Sequence, residues 1–296
     1  MQEHIECSCF ELMLFLHILI YVELLKGLEC MRIALVDGER SEAKPGLKGI
    51  CQCCHQPVIN KSRGTGRNPY WSHRPNEACN RWWEPETEWH RSWKDNFPIE
   101  WQEIIMQDEQ TGEKHIADIR SSHNFVVEFQ HSHIDPQERV AREQFYKNMV
   151  WVVDGTRLKM DYSRFLKIKE NSRSAGIHGF WHVRFPEKIF PRGWLESSVP
   201  VFFDFLGIIP STGLQDELRN LLWCLLPYRA EGNAILCCIE HKCFVDKVIN
   251  DPEWFQPQIK QHDNKILNGL RYEQPKRLSY NMTVSQYRNN RRRRRF

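Results

Sequence analysis

The sequence has no apolar run long enough to cross a membrane. The run from Leu12 to Val22 is eleven residues long, contains His17 and ends at Glu23, whereas a membrane span needs about twenty apolar residues. The chain also lacks the basic start of a secretory signal, since Glu3 and Glu6 stand there. We therefore expect no membrane association.

The first thirty residues do not read as part of the main domain. Met31 begins the segment Met-Arg-Ile-Ala-Leu-Val-Asp-Gly, which is typical of an ordinary protein start. We interpret residues 1–30 as a doubtful N-terminal extension, with an interfacial helix as the alternative, and we assign no function to them.

The cysteines lack the regular spacing of a disulfide framework. There are eleven of them, an odd number, which is typical of a reducing compartment and predicts a cytoplasmic protein. Strong net charge is also missing. The formal charge is +3, and Arg291–Arg295 contribute five positive charges, so the rest sums to 3 − 5 = −2. Attraction for polyanions is therefore partly concentrated in a basic tail, residues 286–296.

The sequence patterns divide the rest of the chain into three parts. Residues 31–83 are rich in Cys, His, Gly and Trp and show no periodicity. Residues 84–157 predict a helix, three strands, a second helix and a fourth strand. Residues 158–285 predict a poorly defined α+β region with strands near 180–185, 199–205 and 234–240 and helices over 214–226 and 244–249. We expect a mixed α/β fold whose αβββαβ core follows a small zinc-ribbon-like segment.

Three polar residues lie inside the predicted strands of that core. Asp118 is in the second strand, and Glu128 and Gln130 are in the third. A carboxylate within a strand is costly to bury unless it has a partner, and acids on adjacent hairpin strands can meet at cross-strand distance. Two such carboxylates suit Mg²⁺ or Mn²⁺. Glu88, on the preceding helix, has the chemistry of an extra ligand or base. The alternative is that Asp118 and Glu128 are ordinary solvent-facing strand residues.

Residues 51–157 resemble the competence protein CoiA-like family of the PD-(D/E)xK nuclease superfamily. The matching motifs are Cys51-x-x-Cys54, Trp71-Ser72-His73, Glu86-Thr87-Glu88-Trp89-His90, His115-Ile116-Ala117-Asp118, Val127-Glu128-Phe129-Gln130-His131-Ser132, Glu138-Arg139 and Val150-Trp151-Val152-Val153.

The resemblance implies that Asp118 and Glu128 hold a catalytic metal ion and that Gln130 takes the place of the usual lysine. A glutamine cannot supply the positive charge of a lysine, so that role falls to another residue. Arg139 and Lys147 are the substitutes we expect, and together with Tyr146 they are the residues we expect beside the DNA. Tyr146 has two open interpretations, since it either positions Gln130 or packs in the core.

A second metal site is predicted in the Cys/His segment. Cys51, Cys54, His73 and Cys79 can form a tetrahedral structural zinc site, because a two-residue gap lets both sulfurs of a Cys-x-x-Cys pair reach one ion. Tyr70 stands where the family has its first histidine. The alternative is a group of free cysteines in a packed loop.

Two functions from different classes follow. The first is a cytoplasmic, Mg²⁺-dependent deoxyribonuclease that hydrolyses phosphodiester bonds in incoming or foreign DNA, in competence, recombination or defence. The second is a non-catalytic DNA-binding protein with a nuclease-like fold. Both predict DNA as the partner, and neither predicts an oligomeric state.

Overall fold

The computed structural model shows a mixed α/β protein whose strands form two sheets. It describes residues 30–61, 68–74, 86–109, 111–176, 179–206, 217–230 and 232–255. The chain divides into two compact units, Met1–Arg120 and Ser121–Phe296. Nearly all of the doubtful extension and the whole basic tail lie outside the described residues. Within those residues, no helix is long and apolar enough to cross a membrane.

The first unit contains a six-stranded antiparallel sheet. Its order is β1-β6-β5-β4-β2-β3, and the strands are β1 Cys30–Met31, β2 Ile33–Val36, β3 Glu39–Glu42, β4 Gly49–Ile50, β5 Pro57–Lys61 and β6 Tyr70–Ser72. Trp71 is fully buried in its core. A Cβ atom on Gly49 would lie 2.8 Å from the Trp71 ring, so only glycine fits beside this indole.

A helix and a hairpin complete the first unit. Helix α1 spans Glu88–Lys94, and strands β7 (Gln102–Gln107) and β8 (Lys114–Arg120) pair antiparallel. The predicted helix and first two strands of the core are therefore confirmed to within a few residues. Thr87 caps α1, since its hydroxyl accepts from the backbone N–H of His90.

The second unit is built on seven strands in the order β11-β12-β15-β14-β13-β10-β9. They are β9 Val126–Gln130, β10 Met149–Asp154, β11 Ser172–Ser174, β12 Phe180–Val183, β13 Val201–Asp204, β14 Leu221–Ala230 and β15 Asn233–Glu240. Strand β10 pairs parallel with both β9 and β13, and the other pairs are antiparallel. The carboxyl ends of three parallel strands therefore share one edge.

The helices of the second unit lie between these strands or after the last of them. They are α2 Pro136–Tyr146, α3 Lys159–Phe165, α4 Ile168–Asn171, α5 Arg192–Leu195 and α6 His241–Asn250, with 3-10 turns at Pro186–Lys188, Glu217–Asn220 and Pro252–Phe255. A further 3-10 turn, Ile99–Trp101, lies between α1 and β7 in the first unit. Helix α2 begins as the sequence predicts. The Asp135 carboxylate accepts from the N–H groups of Gln137 and Glu138, and Pro136 is the first helical residue.

One element of the C-terminal region was predicted wrongly. A helix is expected over 214–226, but the described part of that range, from Glu217, is a 3-10 turn followed by strand β14. The apolar run from Leu221 to Leu226 fits a buried helix or a buried strand equally well. Strand pairing determines that this run is a strand, because β14 lies between β13 and β15 and its backbone forms hydrogen bonds to both.

Candidate functional site

Three of the four predicted zinc ligands lie together in the first unit. The sulfurs of Cys51 and Cys54 and a ring nitrogen of His73 all lie within 4.8 Å of one another. Cys54 Sγ is 3.2 Å from His73 Nε2. Cys51 and His73 are fully buried. The fourth predicted ligand, Cys79, lies outside the described residues.

The backbone around Cys51 shapes this cluster. The N–H of His55 donates to the Cys51 carbonyl at 3.0 Å, and the N–H of Cys51 donates to the Gln56 carbonyl at 2.8 Å. His55 closes the turn with a φ of 59°. The N–H of Cys53 points at Cys51 Sγ, 3.3 Å away, which stabilises a thiolate. His73 is brought in from the adjacent segment, directly after β6.

This donor set fits a metal ion such as zinc. Two sulfurs and one imidazole are the ligand types that tetrahedral zinc prefers, at about 2.3 Å for sulfur and about 2.0 Å for nitrogen. Two sulfurs bound to one ion at that distance lie about 3.8 Å apart, which is within the 4.8 Å spread of the three ligand atoms. The prediction of a Cys/His metal-binding cluster is confirmed at this level.

Asp118 belongs to a group of acids around one buried lysine. The Lys94 ammonium lies 2.9 Å from Asp118 Oδ1, 3.2 Å from Glu103 Oε1 and 3.4 Å from Glu86 Oε1. Asp118 is the most accessible of the three acids, with 22% of its side chain exposed. Arg91 pairs with Glu86 at 2.7 Å. Three carboxylates thus meet two cations.

These contacts keep Lys94 charged. Burial lowers the pKa of Lys94, but the charges of Asp118, Glu103 and Glu86 outweigh burial and place it well above the ordinary value. Glu103 is fixed in place, because its carboxylate also accepts from the backbone N–H groups of Arg32 and Ile33 at 3.0 and 2.9 Å. Lys94 and Glu103 therefore form a rigid support beside Asp118.

Glu128 lies in the second unit, buried within β9. Its Oε2 atom accepts from Arg142 of α2 at 2.9 Å, and Arg142 also bonds Glu138 one turn earlier on the helix. Burial lowers the pKa of Arg142, but Glu128 and Glu138 outweigh it, so the pKa lies above the ordinary value. Arg142 therefore remains a cation next to the Glu128 carboxylate.

Gln130 is buried two residues further along β9. Its side-chain nitrogen lies 3.3 Å from the Ser132 carbonyl and 3.4 Å from the Ser132 hydroxyl. The structure thus directs the amide of Gln130 towards the turn that follows the strand.

The remaining predicted site residues are distributed differently from expectation. Glu88 is exposed at the start of α1, and Glu86 occupies the acidic group instead. Arg139 is buried and pairs with Glu143 at 2.6 Å, and Tyr146 is buried as well. Of the three residues expected beside DNA, Lys147 is the one exposed to solvent.

Sequence reasoning missed Lys94 and Arg142. Two signals were present for Arg142, since Glu138–Arg142 and Arg139–Glu143 both have the i,i+4 spacing of helical ion pairs. Lys94 had a weaker signal. It follows Trp93 on a helix whose tryptophan face is buried, so a lysine at this edge needs acidic partners.

Comparison with known proteins adds no family to these observations. Neither the family models, nor the curated proteins, nor the solved structures gave a significant match to this chain.

Proposed function

We propose that this protein is a metal-dependent DNA nuclease of the PD-(D/E)xK type, in which Asp118 and Glu128 bind Mg²⁺ or Mn²⁺. The observation that carries the proposal is that each of these carboxylates bonds a buried cation, Lys94 or Arg142. An adjacent cation favours the charged form of a carboxylate, and a metal-binding carboxylate must be charged.

The order of elements supports the same class. Helix α1, strands β7 to β9, helix α2 and strand β10 follow one another as the αβββαβ pattern requires. Asp118 and Glu128 fall on the second and third of these strands, at the positions that the CoiA-like resemblance assigns to metal ligands. When bound, the divalent ion would supply a hydroxide nucleophile and neutralise charge on the phosphate.

Lys94 can fill the role that Gln130 cannot. A nuclease needs positive charge near the attacked phosphate, and position 130 holds a neutral amide. The Lys94 ammonium is 2.9 Å from Asp118, and its pKa stays high. We assign this charge to Lys94 in place of Arg139, because Lys94 lies beside the proposed metal ligand Asp118 whereas Arg139 pairs with Glu143. Gln130 retains a positioning role through Ser132.

In this proposal the Cys/His cluster has a structural role and stabilises the fold. Zinc on Cys51, Cys54 and His73, with Cys79 as the fourth ligand, would join the turn before β5 to the end of β6. Structural zinc of this kind contributes directly to folding.

A non-catalytic DNA-binding protein is the second candidate. The observation that favours it is the neutral Gln130, which stands where the resemblance expects a lysine and whose side-chain nitrogen faces Ser132. For both candidates the proposed partner is incoming or foreign DNA and the proposed compartment is the cytoplasm.

The test is DNA cleavage by a Glu128→Gln variant. Plasmid and single-stranded DNA are incubated with Mg²⁺, Mn²⁺ or EDTA. We expect cleavage to fall by more than about 100-fold, because even groups that only orient metal ligands are worth about 10- to 100-fold. Glu138→Gln is the matched control, since Glu138 bonds the same Arg142. Full activity of Glu128→Gln contradicts the metal site, and DNA binding without cleavage by the wild type favours the second candidate.

A further inference from the structure

A cavity of about 100 Å³ opens in the second unit at the carboxyl ends of the parallel strands. His131 follows β9, Asp154 ends β10 and Phe205 follows β13, and all three line the cavity. In open sheets with parallel strands, ligands bind in the crevice outside these strand ends. The position alone therefore makes the cavity a candidate binding site.

The acids of the cavity already have partners within the protein. Asp154 bonds His131 at 2.7 Å through one oxygen and the Thr156 N–H at 2.7 Å through the other. Burial would raise the pKa of Asp154, but these hydrogen bonds outweigh burial and lower it. Asp161 pairs with Arg164 at 2.8 Å. Both carboxylates are thus bonded to groups of the protein.

Donor groups remain for a ligand. Arg157 and His133 line the cavity and are exposed, and no ion pair to either is found among the described residues. A guanidinium has donors and no acceptor, so a ligand that binds to it is one rich in acceptor oxygens. The polar part of the cavity is therefore complementary to an anion.

The size of the cavity and its apolar wall limit that anion. The wall includes Phe190, Trp194, Phe203 and Phe205. An engineered cavity of about 150 Å³ holds benzene, so this smaller one admits a compact group of a few atoms and not a nucleobase.

We propose that this cavity binds a phosphate monoester, the terminal phosphate of a DNA strand, through Arg157 and His133 beside the fixed His131–Asp154 pair. The choice of phosphate over carboxylate rests on the proposed function, because a nuclease meets and produces strand ends. The cavity would then anchor one end of the strand while the rest of it lies outside.

The experiment compares two oligonucleotides of one sequence, with a 5′-phosphate or a 5′-hydroxyl, binding to the full chain without added Mg²⁺ or Mn²⁺. Fluorescence anisotropy should show about tenfold tighter binding of the phosphorylated strand, and inorganic phosphate should compete. The same pair carrying the phosphate at the 3′ end covers the other polarity. No preference at either end overturns the proposal, as does competition by inorganic phosphate without a preference.

Two variants locate the effect. Arg157→Gln removes a donor, and Gly193→Leu fills the cavity, since the space around a Cβ atom at Gly193 is open. Both should abolish the end preference. Arg192→Gln removes an exposed charge next to Gly193 but outside the cavity lining, so it should keep the preference. A preference that survives both cavity variants contradicts this site.

The outcomes separate this proposal from the nuclease proposal. Metal-dependent cleavage without an end preference overturns the phosphate site alone. An end preference that is lost in both cavity variants supports the site even where the wild type does not cleave DNA.

Discussion

At the residue scale, the most unusual group of the first unit is the Lys94 ammonium. A lysine is rarely fully buried unless it is paired, and Lys94 has carboxylates of Glu86, Glu103 and Asp118 within 3.4 Å. Removing one partner of a buried ion pair leaves uncompensated charge, which costs more than the pair contributes. Lys94 is therefore both a stabilising residue and the proposed source of positive charge beside Asp118.

Replacing Lys94 by methionine should lower the free energy of unfolding by about 3–5 kcal/mol, because three carboxylates lose their common partner. Urea unfolding measures this difference. Lys48→Met is the control, since Lys48 is exposed, and its effect should stay within about 0.5 kcal/mol. Equal effects of the two substitutions would show that the buried cation does not hold the acids together.

The sequence revealed the acids more readily than their partners. Asp118 and Glu128 stand out because a carboxylate inside a strand pattern needs an explanation. Lys94 comes from a different element, and its distance from Asp118 along the chain hides their contact. The sequence also does not show which side chains are exposed. Glu88, the predicted extra ligand, is exposed, and Glu86 lies in the acidic group.

At the element scale, helix α2 is fixed by buried charge. Glu143 accepts from Arg139 on its own helix, from the Trp151 indole of β10 at 3.2 Å, and from Ser197 and Ser198. Burial would raise the pKa of Glu143, but the hydrogen bonds from Ser198, Arg139 and Ser197 outweigh burial, and the pKa lies below the ordinary value of 4.5.

Glu143→Gln should therefore destabilise the protein by about 2–4 kcal/mol at neutral pH. Because the folded pKa is depressed, the carboxylate contributes fully above pH 4.5, and the contribution is lost as the pH falls through the folded value. Denaturant unfolding across this pH range should show that the difference in free energy of unfolding between wild type and variant becomes smaller at acid pH. If this difference does not change with pH, the charge of Glu143 does not contribute to stability.

The Cys/His turn gives a second prediction at this scale. Purified protein should carry about one zinc ion per chain, and Cys54→Ser should lose it, because Cys54 lies 3.2 Å from His73. Metal analysis and thermal unfolding with a chelator measure both effects. Cys243→Ser, which changes an exposed cysteine of α6, should keep the zinc. Retention of zinc by Cys54→Ser would contradict the ligand assignment.

Elements that carry a local sequence signal were predicted from it. Asp135 and Pro136 mark the start of α2, and hydrophobic alternation marks β7 and β8. Strand β14 has no such signal. Its identity depends on β13 and β15, which pair with it from both sides, and a single sequence does not contain that information.

At the scale of the whole molecule, the predicted core of residues 84–157 crosses the boundary between the two compact units. Asp118 belongs to the first unit and Glu128 to the second. Sequence reasoning found the αβββαβ order because each element has a local pattern. It did not find this boundary, which depends on contacts throughout the chain.

The most direct test of the nuclease proposal is metal-dependent cleavage of plasmid DNA by wild type and by Asp118→Asn. Asp95→Asn serves as the control, since Asp95 is an exposed acid at the end of α1. We predict that wild type and Asp95→Asn cleave DNA in Mg²⁺ or Mn²⁺ and stop in EDTA, while folded Asp118→Asn does not cleave. Cleavage by Asp118→Asn at the wild-type rate, or wild-type cleavage that continues in EDTA, would contradict the metal-dependent nuclease.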